Sequence, residues 1–197
     1  MSKQLRRLSA VFQSMKAALA TLVTLVAVAG AGDVGEPPAS GTFRAAPKAK
    51  AVLHDSAGAE VGTVDAEAVG GGLRVIVKVH DMPPGEHGVH VHGGAACGSA
   101  AGPEAFAGAG GHLDPAHANS HDGLNGSGHA GDLGNILVAG DGKGKLDVVA
   151  ERLDLGNDNA SVAGKPVVVH TLRDNLTDKP ENGGSDGRWA CGVLERQ

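Results

Sequence analysis

Residues 87–132 read HGVHVHGGAACGSAAGPEAFAGAGGHLDPAHANSHDGLNGSGHAGD. This stretch holds seven of the chain's ten histidines: His87, His90, His92, His112, His117, His121 and His129. Each neutral imidazole must satisfy both a donor and an acceptor, so histidine at this density is poor core filler. The opening GVHVH alternates as a strand does. Side chains two apart on a strand share a face, which lets His90 and His92 approach one ion while Val89 and Val91 pack behind them. The four later histidines lie among Gly, Ala and Asp, in sequence that forms no regular element. A loop this long needs an external source of order, and metal ligation supplies one.

Strand-like segments flank the stretch on both sides. Upstream, Lys50–His54 and Val61–Ala66 are separated by the turn Asp55-Ser56-Ala57-Gly58. In LRVIVKVH, Leu73, Val75, Val77 and Val79 alternate with Arg74, Ile76, Lys78 and His80, the pattern of a half-buried strand. Met82-Pro83-Pro84-Gly85 then turns the chain into His87–His92. Downstream, Asn135–Ala139 and Lys145–Arg152 form a hairpin across a glycine-rich turn at 140–144, and Val167–His170 and Ala190–Leu194 close the series. Eight short strands without an amphipathic helix predict an all-β fold: an eight-stranded antiparallel Greek-key barrel or sandwich, with the long metal-binding loop between two of its strands. With three Phe, one Trp, no Tyr and 32 Gly, its core must be built from small aliphatics. Such a core buries little area per residue, so a metal or a disulfide is expected to reinforce it.

The N-terminus reads as an export signal. Lys3, Arg6, Arg7 and Lys16 precede thirteen uncharged residues, Ala17–Ala29, and small residues at 27–31 offer two A-x-A cleavage patterns. The apolar run is shorter than the roughly 18 residues of a membrane span. Residues 1–31 are therefore expected to be a secretory signal peptide, 32–47 a flexible Gly-, Pro- and Ala-rich linker, and 48–197 the folded domain. Removing the signal leaves 13 basic against 22 acidic residues, a net charge of −9. Without a basic patch, nucleic acid is excluded as a partner, and no stable membrane span remains in the mature chain. The expected destination is the periplasm, the cell envelope or the outside of the cell.

In an oxidising compartment the only two cysteines, Cys97 and Cys191, are favoured to join. Two buried thiols or an intermolecular link are the alternatives. A bridge would close a loop of about 95 residues, for which chain entropy gives roughly 4–5 kcal/mol.

His112, His121, His129 and Asp132 fall within 21 residues. Three imidazoles and one carboxylate suit tetrahedral Zn²⁺, and the glycines around them let the backbone fold tightly about an ion. His90, His92 and the distant His170 make a second, all-nitrogen set. Imidazoles with an open position suit copper, which changes oxidation state. His117 lies between two members of the zinc set and offers the same chemistry, while His87 reads as structural at the turn into its strand.

At these residues the chain resembles the copper/zinc superoxide dismutases in their bacterial exported form. The resemblance is carried by GEHGVHVH at 85–92, Cys97, GGHLDP at 110–115, His121, GHAGDLGN at 128–135, VVVHTLRDN at 167–175 and GGSDGRWACGV at 183–193, in the family's order from about Lys48 to the C-terminus. It implies His90, His92, His112 and His170 as copper ligands and His112, His121, His129 and Asp132 as zinc ligands, with His112 bridging. It implies Asp174 as the carboxylate behind one ligand histidine on each metal, Arg188 as the arginine that attracts the anionic substrate, and Cys97–Cys191 as an intrasubunit disulfide. Arg188 and His112 would be the catalytic residues. The implied activity is conversion of two superoxide anions and two protons to O2 and H2O2 by Cu(II)/Cu(I) cycling, with zinc in a structural role. A metal-holding module of the same fold is the competing reading, and the sequence is compatible with a monomer or a homodimer.

Overall fold

β-Branched and small apolar residues at every second position set the strands, each of which turns one face to a shared interior. The computed structural model describes residues 45–102 and 104–197. The expected signal peptide, and the linker as far as residue 44, lie outside them.

The strands are β1 (Lys48–Asp55), β2 (Glu60–Val69), β3 (Gly72–Val79), β4 (Gly85–Val91), β5 (Asp132–Val138), β6 (Gly144–Ala150), β7 (Pro166–His170), β8 (Arg188–Val193) and the short β9 (Glu195–Arg196). All pairings between them are antiparallel. The hydrogen-bonded order β2-β3-β6-β5-β4-β7-β8-β1 closes because β1 also pairs with β2, giving an eight-stranded barrel with β9 added beside β1. The connections from β3 to β4 and from β6 to β7 skip neighbours, as a Greek key requires. Among the described residues there is no α-helix, only 3-10 turns at Ala107–Ala109 and Glu181–Gly184. All eight expected strands are present with small shifts at their ends. Two of these shifts matter: β5 begins at Asp132 rather than Asn135, and Arg152 lies beyond the end of β6.

The alternation read in β3 holds: Leu73, Val75, Val77 and Val79 are buried, whereas Arg74 and Lys78 are exposed. These side chains meet Leu53, Val64, Val89, Val91, Leu133, Ile136, Val167, Val169 and Leu194 in one aliphatic core. β4 and β7 are buried on both faces. Their inner faces belong to this core, and loops cover their outer faces. A small second core of Phe106, Ala109, Val168 and Cys191 packs the segment after Cys97 onto the outside of the barrel. There Cys97 and Cys191 form the expected disulfide, with Cα atoms 5.9 Å apart.

Candidate metal centre

Four strand ends converge beneath these loops. His90 and His92 stand on the outer face at the end of β4, His170 ends β7, and Asp132 and Arg188 begin β5 and β8. The β4–β5 register shifts between Val89 and His90, which leaves His90 opposite Asp132; the β7–β8 register shifts between Val169 and His170, which leaves His170 opposite Arg188. Bulges of this kind re-aim side chains at a barrel's rim. His112 joins from its loop through an isolated bridge to His92. Its ring centroid lies 4.0 Å from that of His90, 5.0 Å from His92, 5.2 Å from His129, 5.5 Å from His121 and 6.0 Å from His170.

Two groups of ligand atoms, each gathered within 4.8 Å, result: His90, His92, His112 and His170, and His90, His112, His121 and Asp132. His90 belongs to both, and so does His112. Its Nδ1 edge is on Asp132 Oδ1 at 2.8 Å, which leaves Nε2 on the opposite edge of the ring. His129 stands just outside the second group, with Nδ1 3.6 Å from Asp132 Oδ1.

The tautomers show that the site is built for cations. His92 Nδ1 donates to Gly110 O (2.8 Å) and His170 Nδ1 donates to Asp186 O (3.0 Å). Carbonyls only accept, so both Nδ1 atoms carry hydrogen and the two Nε2 lone pairs face each other at 3.3 Å. Two bare acceptors at that distance call for a cation between them. His90 Nε2 donates to Asp174 Oδ2 (2.9 Å), so its Nδ1 is also bare, buried and without a partner. His129 Nδ1 and Asp132 Oδ2 are likewise buried and make no hydrogen bond, although His121 Nδ1 stands 3.0 Å from that oxygen. Unsatisfied atoms are costly in a protein interior, yet these cluster in one place and all point inward. A nitrogen-rich set beside a nitrogen-and-carboxylate set fits copper and zinc, respectively.

Protonation follows the same division. Burial pushes His90 down to about 3, His92 to about 2 and His170 to about 4, so all three rings are neutral and free to ligate at neutral pH. Burial also lowers His112, against the pull of Asp132. At His121 burial is outweighed by two carboxylates, and its value rises to about 9. Its Nε2 is 2.8 Å from Asp174 Oδ1 and its Nδ1 is 3.0 Å from Asp132 Oδ2. Although burial opposes it, contact with their histidines holds Asp132 and Asp174 well below the usual carboxylate range.

Asp174 thus spans the two groups, bonded to His90 on one side and His121 on the other, and it is fully buried. Arg188 is half-buried and held by two loop carbonyls: Nη1 donates to Phe106 O and Nη2 to Gly110 O at 2.5 Å. Gly110 O therefore serves both Arg188 and His92.

The family model described as copper/zinc superoxide dismutase matches residues 60–194. The chain belongs to the copper/zinc superoxide dismutase family. Superoxide dismutase (Cu-Zn) 2 of Salmonella typhimurium is 36% identical over 188 residues, which cover 92% of this chain and 100% of that one. The Brucella abortus superoxide dismutase (Cu-Zn) is 41% identical over 147 residues, 73% of this chain and 83% of that one. Among solved structures, the Cu/Zn superoxide dismutase from Brucella abortus superposes with a TM-score of 0.67 at 35% identity, covering 75% of this chain and 99% of that one. A superoxide-dismutase-like protein from Bacillus subtilis reaches 0.65 at 26% identity, covering 74% and 97%. As a superoxide dismutase the chain is an oxidoreductase, its substrate is superoxide, and its cofactors are copper and zinc.

Around the dismutase site, the structure adds residues that the sequence did not single out. Asn135 binds the backbone of Asp174 from both sides, by its Oδ1 from Asp174 N (2.7 Å) and its Nδ2 to Asp174 O (2.8 Å). Gly183 lies so close over the Asp174–His121 bond that a Cβ there would stand 1.9 Å from Asp174 Oδ1. His87 is buried and structural as expected, its ring among the carbonyls of Pro83, His170 and Thr171. His54 and His117 are exposed, and neither they nor His80 joins a ligand group. Arg173, adjacent to Asp174, is ion-paired with Glu86 at 2.7 Å.

Proposed function

We propose that this chain is an exported superoxide dismutase in which His90, His92, His112 and His170 hold copper, and His112, His121, His129 and Asp132 hold zinc. The observation that carries the reading is the pair of ligand groups sharing His90 and His112, lined by buried nitrogen and oxygen atoms that make no hydrogen bond. Bound copper, alternating between Cu(II) and Cu(I), supplies the electron exchange that converts two superoxide anions and two protons to O2 and H2O2, while zinc is structural.

The chain's own residues do the rest. Arg188 presents a fixed positive charge beside His170, which attracts a small anion towards the centre of a domain whose net charge is negative. Phe106 and Gly110 aim that guanidinium, and the disulfide holds their loop to β8. His112, common to both ligand sets, would be a ligand to both ions, and its Nε2, on the ring edge away from Asp132, could hold one of the consumed protons. Asp174 fixes the rings of His90 and His121 by accepting from their Nε2 atoms, the kind of support that sets a ligand's tautomer and orientation.

Export is supported by the charged, apolar and small-residue succession of residues 1–31, and by a disulfide that an oxidising compartment preserves. The test is superoxide consumption by residues 32–197 reconstituted with copper and zinc, with metal content measured on the same sample. Fast, copper-dependent loss of superoxide is expected. Full occupancy of both metals without turnover would leave a metal-holding module instead.

A further inference from the structure

β5 and β6 are consecutive strands of a hairpin, yet only one residue pair, Val138 with Gly144, joins them. β3 and β6 pair over seven positions. Beyond the hairpin turn, side chains do the joining. Asn125 Nδ2 donates to Val149 O (3.0 Å) and Asn125 Oδ1 accepts from Glu151 N (2.8 Å), so one amide binds the backbone at and just past the end of β6. In the reverse direction, Arg152 reaches from just beyond β6 into the 125–129 segment. Its Nη1 donates to Gly128 O (2.7 Å) and its Nη2 to His129 O (2.8 Å).

Arg152 makes no ion pair within 4.0 Å among the described residues. Its charge is directed at two successive neutral carbonyls, one of them that of a candidate zinc ligand. A planar fork with two donors fixes direction as well as distance, which a single ammonium donor cannot do. The segment has little freedom elsewhere: His129 N donates to Ser120 O (2.9 Å), and Asp122 Oδ2 accepts from Ser127 N (2.8 Å). Arg152 and Asn125 complete this frame from the barrel side.

We propose that Arg152, assisted by Asn125, is a positioning residue for the zinc half of the centre. It sets the 128–129 backbone so that His129 Nδ1 faces Asp132 before any ion arrives. This inference rests on the reading of His129 as a zinc ligand. Partners behind metal ligands typically contribute about 10- to 100-fold in metal affinity, and Arg152 is assigned an effect of that size on zinc.

The experiment is a chelator competition with Zn²⁺, and separately with Cu²⁺, on the whole domain carrying Arg152→Met, which keeps the apolar stem and removes the fork. Zinc affinity is expected to fall about 10- to 100-fold with copper affinity unchanged, and Co²⁺ placed in the zinc site should show an altered visible spectrum. Arg152→Lys should be intermediate, and Asn125→Ala should change zinc affinity in the same direction by less, which provides a second route if Arg152→Met does not fold. In a His129→Ala background, Arg152→Met should have no further effect on zinc. Equal losses with and without His129, or parallel loss of both metals, would overturn the positioning role and leave a structural one. If His129→Ala itself leaves zinc affinity unchanged, the ligand reading fails instead.

Discussion

Asn135 and Asp174 exchange two hydrogen bonds, amide side chain to backbone in both directions, 39 residues apart in sequence. The carboxylate of Asp174 then serves His90 and His121 at once. A single asparagine on β5 thereby sets the position of the group that both halves of the centre share. Asn135→Ala would leave a buried N–H and C=O without partners, at a cost of about 1–3 kcal/mol for each unsatisfied group. The expected result is weaker retention of copper and zinc together, read as the loss of both metals on dialysis against a chelator. Loss of only one metal would show that the lock does not act through Asp174.

Gly183 predicts a sharper effect. Its φ of +71° already disfavours any other residue, and an added Cβ would stand 1.9 Å from Asp174 Oδ1 and 2.9 Å from His121 Nε2. Gly183→Ala is expected to displace the Asp174–His121 bond and reduce zinc content before copper content, measured by metal analysis of the purified variant. A variant with unchanged metal content would show that the 181–184 turn yields without moving Asp174.

Acid and alkali should destabilise the metal-free protein for different reasons. His90, His92 and His170 fall to about 3, 2 and 4 from an ordinary value of 6.5. Below about pH 6.5 the unfolded chain therefore binds protons that the native chain refuses, and stability drops by about 1.4 kcal/mol per pH unit for each ring. His121 has the opposite sign. Raised to about 9, it contributes stability in full below pH 6.5 and loses it as the pH rises towards 9. Thermal melts of the metal-free domain should peak near pH 6.5. Zinc must also displace the His121 proton, so calorimetric titrations near pH 7.5 in buffers of different ionisation enthalpy should report about one proton released.

Arg188→Ala removes the fixed charge beside His170. The rate constant for superoxide is expected to fall about tenfold or more, and its decline with added salt should become shallower, because steering by a local field is screened by ions. Arg188→Lys should recover part of the rate. An unchanged salt dependence would mean that the guanidinium does not guide the anion.

Replacing Cys97 and Cys191 together by serine opens a closed loop of 94-residue separation. Denaturant unfolding should show a loss of roughly 4–5 kcal/mol. Activity should fall as well, because the loop that carries Phe106 and Gly110 loses its covalent tie to β8.

Much of this was legible in the sequence, though unevenly. β3 was plain because one of its faces is wet, so Arg74 and Lys78 mark the alternation. HGVHVH was harder: β4 is buried on both faces, and only the chemistry of histidine separates its outer face from its inner one. The histidines that gather in the two candidate ligand groups announced themselves through number and spacing. Asn135, Asn125 and Arg152 did not, because their partners are backbone groups far away in the chain and a backbone group has no letter in a sequence. Gly183 reads as one more loop glycine until the fold sets it over Asp174. Arg173 could have been a free charge beside the centre, and only the barrel's geometry brings Glu86 to it.

One oxygen atom accepts from both the imidazole of His92 and the guanidinium of Arg188, and it belongs to the main chain at Gly110. No side-chain replacement can delete that acceptor; it can only be shifted. Any shift would turn the imidazole plane and swing the guanidinium in the same motion. On the proposed reading of His92 as a copper ligand and Arg188 as the anion's guide, the redox potential at that ion and the path of the arriving anion are mechanically geared, and a change in the 106–110 segment moves both together.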